Sequence, residues 1–119
     1  MLVVDDDLPV ARALERWLKR LGAQVVLLCR GEDFEAALRR EQPTLVICDF
    51  LMPQLDGVAL LTIAKQVNPA SRRCLLSGSL GLVTAEQRAQ LAPCLFLEKP
   101  WNPAKFAGQL GLAGSSGPT

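Results

Sequence analysis

The stretch TLVICDFLMPQLDG, residues 44–57, contains an apolar run that ends abruptly on a carboxylate. Residues 44–48 are mostly apolar and do not alternate strictly with polar ones, which is typical of a parallel strand covered on both faces. Asp49 follows at once, and the chain then passes through Pro53 and Gly57, which favour loops. This pattern predicts a buried strand that delivers Asp49 to the edge of a sheet.

Four further apolar runs of this kind recur along the chain, with amphipathic segments between them. The runs are residues 2–4, 24–28, 74–77 and 94–97, and helices are predicted around 10–21, over 32–41 and 58–67, and from Thr84 and Asn102 onward. Strands that alternate with helices in this way form parallel sheets joined by crossover helices. The sequence therefore predicts an α/β fold, a (βα)5 doubly wound domain with a five-stranded parallel sheet.

Capping residues mark several of these predicted ends. Pro9 suits the first turn of the first helix, and Gly22 suits its C-terminal stop. Asp7 is expected to cap that helix rather than to bind a ligand, and Thr84 begins a capping box. Asp56 is interpreted as a turn residue.

Composition places the chain among ordinary globular domains. Its 119 residues fit one domain, and 13 basic against 12 acidic residues give a net charge of +1. The arginines form no basic stripe, so direct nucleic-acid binding is not expected. No apolar run reaches the roughly 18 residues of a membrane span, and we expect a cytoplasmic protein without membrane contact. The domain is predicted over residues 1–112, and 113–119, AGSSGPT, has the composition of a flexible tail or linker remnant.

Four cysteines are spread widely, at positions 29, 48, 74 and 94. None belongs to a C-x-x-C pair, and the chain has no histidine to complete a zinc site. We interpret them as reduced thiols, with Cys29, Cys48 and Cys74 in or beside apolar runs as small core residues.

Polar residues follow four of the predicted strands and so meet at one edge of the sheet. They are Asp5-Asp6-Asp7, Asp49, Ser77-Gly78 and Glu98-Lys99-Pro100. Unit charges about 4 Å apart repel by roughly 4 kcal/mol at an effective dielectric near 20. A divalent cation would relieve this, and Mg²⁺ takes a few carboxylates together with waters and phosphate oxygens. Beside a metal, Lys99 and a hydroxyl, Asp49 is suited to accept a phosphoryl group.

These motifs resemble those of the receiver domain of two-component response regulators, the CheY-like fold. The resemblance covers about residues 2–111 and is carried by VVDDD, by D-x-x-M-P-x-x-D-G from Asp49 to Gly57, by LLSG and by FLEKP. It implies a flavodoxin-like sheet with strand order 2-1-3-4-5. It also implies a switch that promotes only its own phosphorylation and dephosphorylation, rather than an enzyme.

The resemblance assigns roles to individual residues. Asp49 matches the phosphoacceptor. Asp5, Asp6 and Asp49 match the metal-binding carboxylates, and Leu51 matches the residue whose backbone carbonyl binds Mg²⁺. Lys99 matches the lysine that pairs with the phosphoryl group.

Two further matches form the switch. Ser77 corresponds to the switch hydroxyl, where threonine is more frequent, and Phe96 corresponds to the switch aromatic, where tyrosine is common. The family pattern also implies a cis peptide bond before Pro100. Implied partners are a sensor histidine kinase and an output domain or partner protein at the face of helix four, strand five and helix five. A homodimer through that face is a further implication.

Two alternatives stay open from the residues. A haloacid-dehalogenase-like phosphatase would use Asp5 as nucleophile and Asp7 as acid/base, but it needs another acidic residue after Lys99, and none follows Pro100. It also leaves Asp49 unexplained. A receiver-like interaction module that works without phosphate is the second alternative.

Overall fold

The computed structural model describes residues 1–30, 33–52, 56–99 and 102–110. Five strands and five helices alternate along these residues. The strands are β1 Leu2–Val4, β2 Val26–Leu28, β3 Leu45–Asp49, β4 Arg72–Ser77 and β5 Leu95–Glu98. The helices are α1 Leu8–Arg20, α2 Phe34–Glu41, α3 Gly57–Val67, α4 Ala85–Leu91 and α5 Pro103–Leu110. The predicted tail and the predicted cis bond before Pro100 lie outside the described residues.

The strands form one parallel sheet in the order β2-β1-β3-β4-β5, which confirms the predicted fold and strand order. From β1 the chain turns to β2 on one side, whereas β3 lies on the other. The strand order therefore reverses between β1 and β3, where open α/β sheets bind ligands. Val4 pairs with Cys48 in this register, so Asp5, just after β1, and Asp49, the last residue of β3, lie at neighbouring strand ends.

Helices cover both faces of the sheet. One core packs α2, α3 and α4 residues such as Phe34 and Leu61 against β1, β3 and β4. The other contains Leu14 and Leu18 of α1 and Phe106 of α5. The rings of Trp17 and Phe106 lie 5.3 Å apart between centroids and join α1 to α5. No helix among the described residues combines the length and apolarity needed to cross a membrane.

Edge position explains one difference from the predicted sheet. All five strands were expected to be buried, but β2 is half-exposed throughout, and β5 has one buried residue, Leu97. These strands are the two edges of the sheet, so each has a neighbouring strand on one side only. Strand β2 is also shorter than the predicted run, beginning at Val26.

The predicted helix ends are confirmed where the structure describes them. Asp7 accepts a hydrogen bond from the Val10 N–H, and Thr84 and Gln87 form a reciprocal capping box. Gly22 follows α1 with φ +90. Its backbone N–H donates to the Lys19 carbonyl, and the Ala23 N–H donates to the Leu18 carbonyl. This is the Schellman arrangement, which favours glycine.

The cysteine interpretation is correct for two of the three core assignments. Cys48 and Cys74 are buried, whereas Cys29 is exposed just after the edge strand β2. Burial raises the pKa of Cys48 and of Cys74 above the ordinary thiol value, and burial raises that of Cys94 to about 11. A raised pKa lowers the fraction of reactive thiolate.

We therefore expect Cys29 to be the fast-reacting thiol of the folded protein. A short treatment with iodoacetamide at pH 8, followed by peptide mass spectrometry, should modify Cys29 many times faster than Cys48 or Cys74. All four should react in denaturant. Rapid modification of Cys48 in the folded chain would contradict the burial described above.

Candidate functional site

Two buried carboxylates lie side by side at the carboxyl ends of β1 and β3. Asp5 is 1% exposed and accepts a hydrogen bond from the Asp7 N–H at 2.9 Å. Its own backbone N–H donates to the Leu28 carbonyl on β2, which fixes the end of β1. Asp49, the last residue of β3, is 7% exposed. The parallel register thus brings together two acidic side chains that are 44 residues apart.

Asp6 completes an acidic cluster with Asp5 and Asp49. One carboxylate oxygen from each of the three side chains lies within 4.8 Å of the others. Asp5 and Asp49 are buried and Asp6 is exposed, so the cluster is open to solvent on one side. Carboxylate oxygens at this spacing fit a hard divalent cation that keeps part of its water shell.

Lys99 supplies a positive charge to this cluster. Its Nζ lies 3.0 Å from Oδ2 of Asp5 and 3.2 Å from Oδ1 of Asp49. The backbone N–H of Lys99 donates to the Ser77 carbonyl at 2.8 Å, which ties the end of β5 to β4. One ammonium faces three carboxylates, so the cluster keeps an excess of negative charge.

The pKa shifts reflect this crowding. Burial and the neighbouring Asp5 raise the pKa of Asp49, and Lys99 opposes the rise without cancelling it. Burial disfavours the charged form of Lys99, but its contacts with Asp5 and Asp49 outweigh burial and raise the pKa of the ammonium. Burial and Asp5 therefore destabilise the charged form of Asp49, and an added cation would stabilise it.

The two predicted switch residues lie on the same face of the sheet. Phe96 pairs with Leu75, and Ser77 lies two residues beyond Leu75 on β4. Ser77 is buried, and its Oγ accepts a hydrogen bond from the Ser79 N–H at 2.8 Å. No hydrogen bond joins Ser77 to Asp49 in the described part of the chain. The structure thus places Ser77 at the site edge with its hydroxyl engaged in its own loop.

Asp56 and Gly57 at the start of α3 have structural roles that the sequence only partly indicates. Asp56 caps α3 by accepting the Ala59 N–H at 2.7 Å, so its interpretation as a turn residue is wrong. An aspartate just before a predicted helix is the sequence signal for such a cap, because its side chain can accept a hydrogen bond from the backbone N–H three residues later. Gly57 begins α3, and a Cβ there would collide with the backbone carbonyl oxygen of Asp49. Leu51, 55% exposed, pairs with Asp56 in an isolated bridge, and the proposed metal contact of its carbonyl stays a prediction.

Family comparison agrees with this geometry. The sequence model of the response regulator receiver domain matches residues 1–110. The chain belongs to this receiver domain family. The matched residues include the whole motif from Asp49 to Gly57.

Curated relatives of this receiver domain are transcriptional regulators. The transcriptional regulatory protein ZraR of Salmonella typhimurium is 29% identical over 98% of this chain and 31% of its own length. The DNA-binding transcriptional regulator NtrC of Proteus hauseri is 34% identical over 84% of this chain and 21% of its own length. The chain thus spans less than a third of either relative.

Solved structures confirm the fold of the receiver domain. A CheY-like response regulator receiver domain protein from Methanospirillum hungatei superposes with a TM-score of 0.81 at 21% identity. The alignment covers 92% of this chain and 88% of that one. At this identity the likeness bears on the fold alone.

Proposed function

We propose that this receiver domain is a Mg²⁺-dependent phosphoacceptor switch that takes a phosphoryl group from a histidine of a sensor kinase onto Asp49. The observation that carries the proposal is the contact of Lys99 with both Asp5 and Asp49 inside a three-carboxylate cluster. Such a cluster can hold one divalent cation and still leave an oxygen of Asp49 free to react.

The chemistry follows from the side chains. An oxygen of Asp49 attacks phosphorus, an O–P bond forms, and the N–P bond of the donor breaks while the leaving nitrogen keeps the electron pair and takes a proton. Lys99, 3.2 Å from Asp49, is placed to neutralise the phosphoryl oxygens. Asp5, Asp6 and one oxygen of Asp49, with the carbonyl of Leu51, would hold Mg²⁺, which would supply charge neutralisation and alignment when bound.

The switch follows from the added charge. A phosphoryl group on Asp49 attracts Lys99 and the hydroxyl of Ser77, which then gives up its bond to Ser79. Phe96 moves into the space that Ser77 leaves, because the two lie on one face of the sheet. The surface of α4, β5 and α5 changes and acts on an output domain, a partner protein or a second copy.

The wild-type protein tests the proposal directly. Incubation with phosphoramidate and Mg²⁺ should add one phosphoryl group by intact mass, and the same incubation with a chelator should add none. The switch only promotes its own phosphorylation and dephosphorylation, so water should hydrolyse the adduct to unmodified protein and inorganic phosphate, with no other product. A folded protein that takes no phosphoryl group from any small donor would favour the phosphate-independent interaction module instead.

Lys99→Met is expected to separate phosphorylation from switching. The variant should still accept a phosphoryl group, roughly tenfold more slowly, because one charge contact of about 1.4 kcal/mol is lost. The NMR resonances of Phe96 should then change little on phosphorylation. The exposed Lys105→Met on α5 serves as the matched control. An unchanged Phe96 response in Lys99→Met would show that Lys99 has no part in the switch.

A further inference from the structure

Arg88 on α4 contacts Phe96 of the proposed switch and also the loop that follows Ser77. Its guanidinium carbon lies 4.7 Å from the centroid of the Phe96 ring. Its Nη2 donates a hydrogen bond to the carbonyl of Leu80 at 3.0 Å. Leu80 begins the 3-10 turn that follows Ser77 and its loop. The side chain of Arg88 is half-buried, and it takes part in none of the ion pairs between described residues.

The Phe96 ring that Arg88 covers also borders an open groove. Phe96 lines a groove of about 570 Å³ together with Leu80 of the loop and Phe106 of α5. Leu75, the partner of Phe96 on β4, and Ser77, two residues further along, lie on the same face of the sheet as the ring. In the present arrangement the Ser77 hydroxyl accepts a hydrogen bond within its own loop, and Arg88 contacts both that loop and the ring.

We propose that Arg88 is a positioning residue that stabilises Phe96 and the 78–83 loop in the resting arrangement. We call this pair of contacts, to the Phe96 ring and to the Leu80 carbonyl, the latch. A planar guanidinium satisfies the ring and the carbonyl together only while both stay where they are. Contacts made in one conformation alone raise the population of that conformation and lower the affinity for a ligand that prefers the other. Arg88 therefore sets how readily the domain responds to a phosphoryl group. This inference rests on the proposed function.

Arg88→Met keeps the length of the side chain and removes its charge and donors. We expect this variant to bind beryllofluoride, a phosphoryl mimic, about three- to tenfold more tightly than wild type in the presence of Mg²⁺. The variant lacks one cation–π contact and one hydrogen bond that stabilise the resting arrangement, and a fold-change of this size corresponds to their loss. Arg88→Lys keeps the charge but lacks the planar guanidinium, so its affinity for beryllofluoride should fall between those of wild type and Arg88→Met. Arg39→Met, which removes an exposed guanidinium on α2, is the control and should match wild type.

The ring of Phe96 gives a second readout that needs no phosphoryl chemistry. In unliganded Arg88→Met, its NMR resonances should shift and broaden relative to wild type, because the ring is released. Unchanged resonances with unchanged affinity would overturn the latch, and so would weaker beryllofluoride binding by Arg88→Met. Failure of the wild type to bind beryllofluoride would contradict the proposed function instead, and the Phe96 resonances would then decide the latch alone.

Discussion

Asp49→Asn is expected to lose phosphoryl uptake completely. An amide has no anionic oxygen to attack phosphorus, and it also removes one of the three carboxylates of the cluster. Asp5 and Asp6 remain in place, but Asp5 already pairs with Lys99 at 3.0 Å and is held at the end of β1. Intact mass after incubation with phosphoramidate and Mg²⁺ should therefore show the unmodified variant only.

Asp56→Asn is the matched control for this substitution. Asp56 is an exposed carboxylate seven positions after Asp49, and asparagine caps helices as well as aspartate does. The control should keep its fold and take up phosphoryl groups at close to the wild-type rate. Uptake by Asp49→Asn at the wild-type rate would remove Asp49 from the acceptor role.

Asp49→Asn is also expected to change the thermal stability of the domain. Burial and Asp5 raise the pKa of Asp49 above its ordinary value of 3.8, so the folded state binds this proton more tightly than the unfolded chain does. Stability consequently falls as pH rises from about the unfolded value through the raised folded value, and it stays lower above that window. Without Mg²⁺ at pH 7, Asp49→Asn should melt at a higher temperature than wild type. The difference should shrink at acid pH.

Gly57→Ala is expected to be strongly destabilising. The new Cβ would collide with the backbone carbonyl oxygen of Asp49 and would lie 2.8 Å from Cδ1 of Leu75. The oxygen belongs to the last residue of β3 and cannot rotate away, so α3 or the strand end must move. Overpacking of this kind costs about 1–3 kcal/mol in free energy of unfolding. Because the displaced residue is Asp49, phosphoryl uptake should also slow.

Gly108→Ala in α5 is the control for the added methyl group. A Cβ at Gly108 meets nothing within 4 Å, and alanine is favoured over glycine in a helix by roughly 0.5–1 kcal/mol. Urea unfolding should thus show a loss for Gly57→Ala and no loss for Gly108→Ala. Equal free energies of unfolding for the two variants would mean that α3 does not approach β3 as closely as described.

The fold was predictable because its signals are local. Short apolar runs, amphipathic segments and caps such as Thr84 each report on a few neighbouring residues, and parallel strands bring their carboxyl ends to one edge. Asp5, Asp49 and Lys99 could therefore be placed together from the sequence. The strand order came from the family resemblance, since the same alternation of elements permits other orders.

Contacts between side chains and backbone carbonyls were not predictable. Arg73 is 4% exposed at the start of β4, and its guanidinium donates to the carbonyls of Pro69, Ser71 and Pro93. Every residue has a carbonyl, so no residue type signals such an arrangement. The close approach of Gly57 to Asp49 is likewise a result of packing. An Asp-Gly pair in a sequence predicts a turn and does not indicate such a contact.

Identification of the phosphorylated residue in the wild-type protein tests the central claim most directly. After incubation with phosphoramidate and Mg²⁺, borohydride reduction converts an acyl phosphate of aspartate to homoserine, which peptide mass spectrometry locates. We expect homoserine at position 49 and at none of the other aspartates, with none formed when a chelator is present. Homoserine at Asp5 or Asp6, or a phosphoryl group on any other side chain, would contradict the assignment of Asp49 as the acceptor.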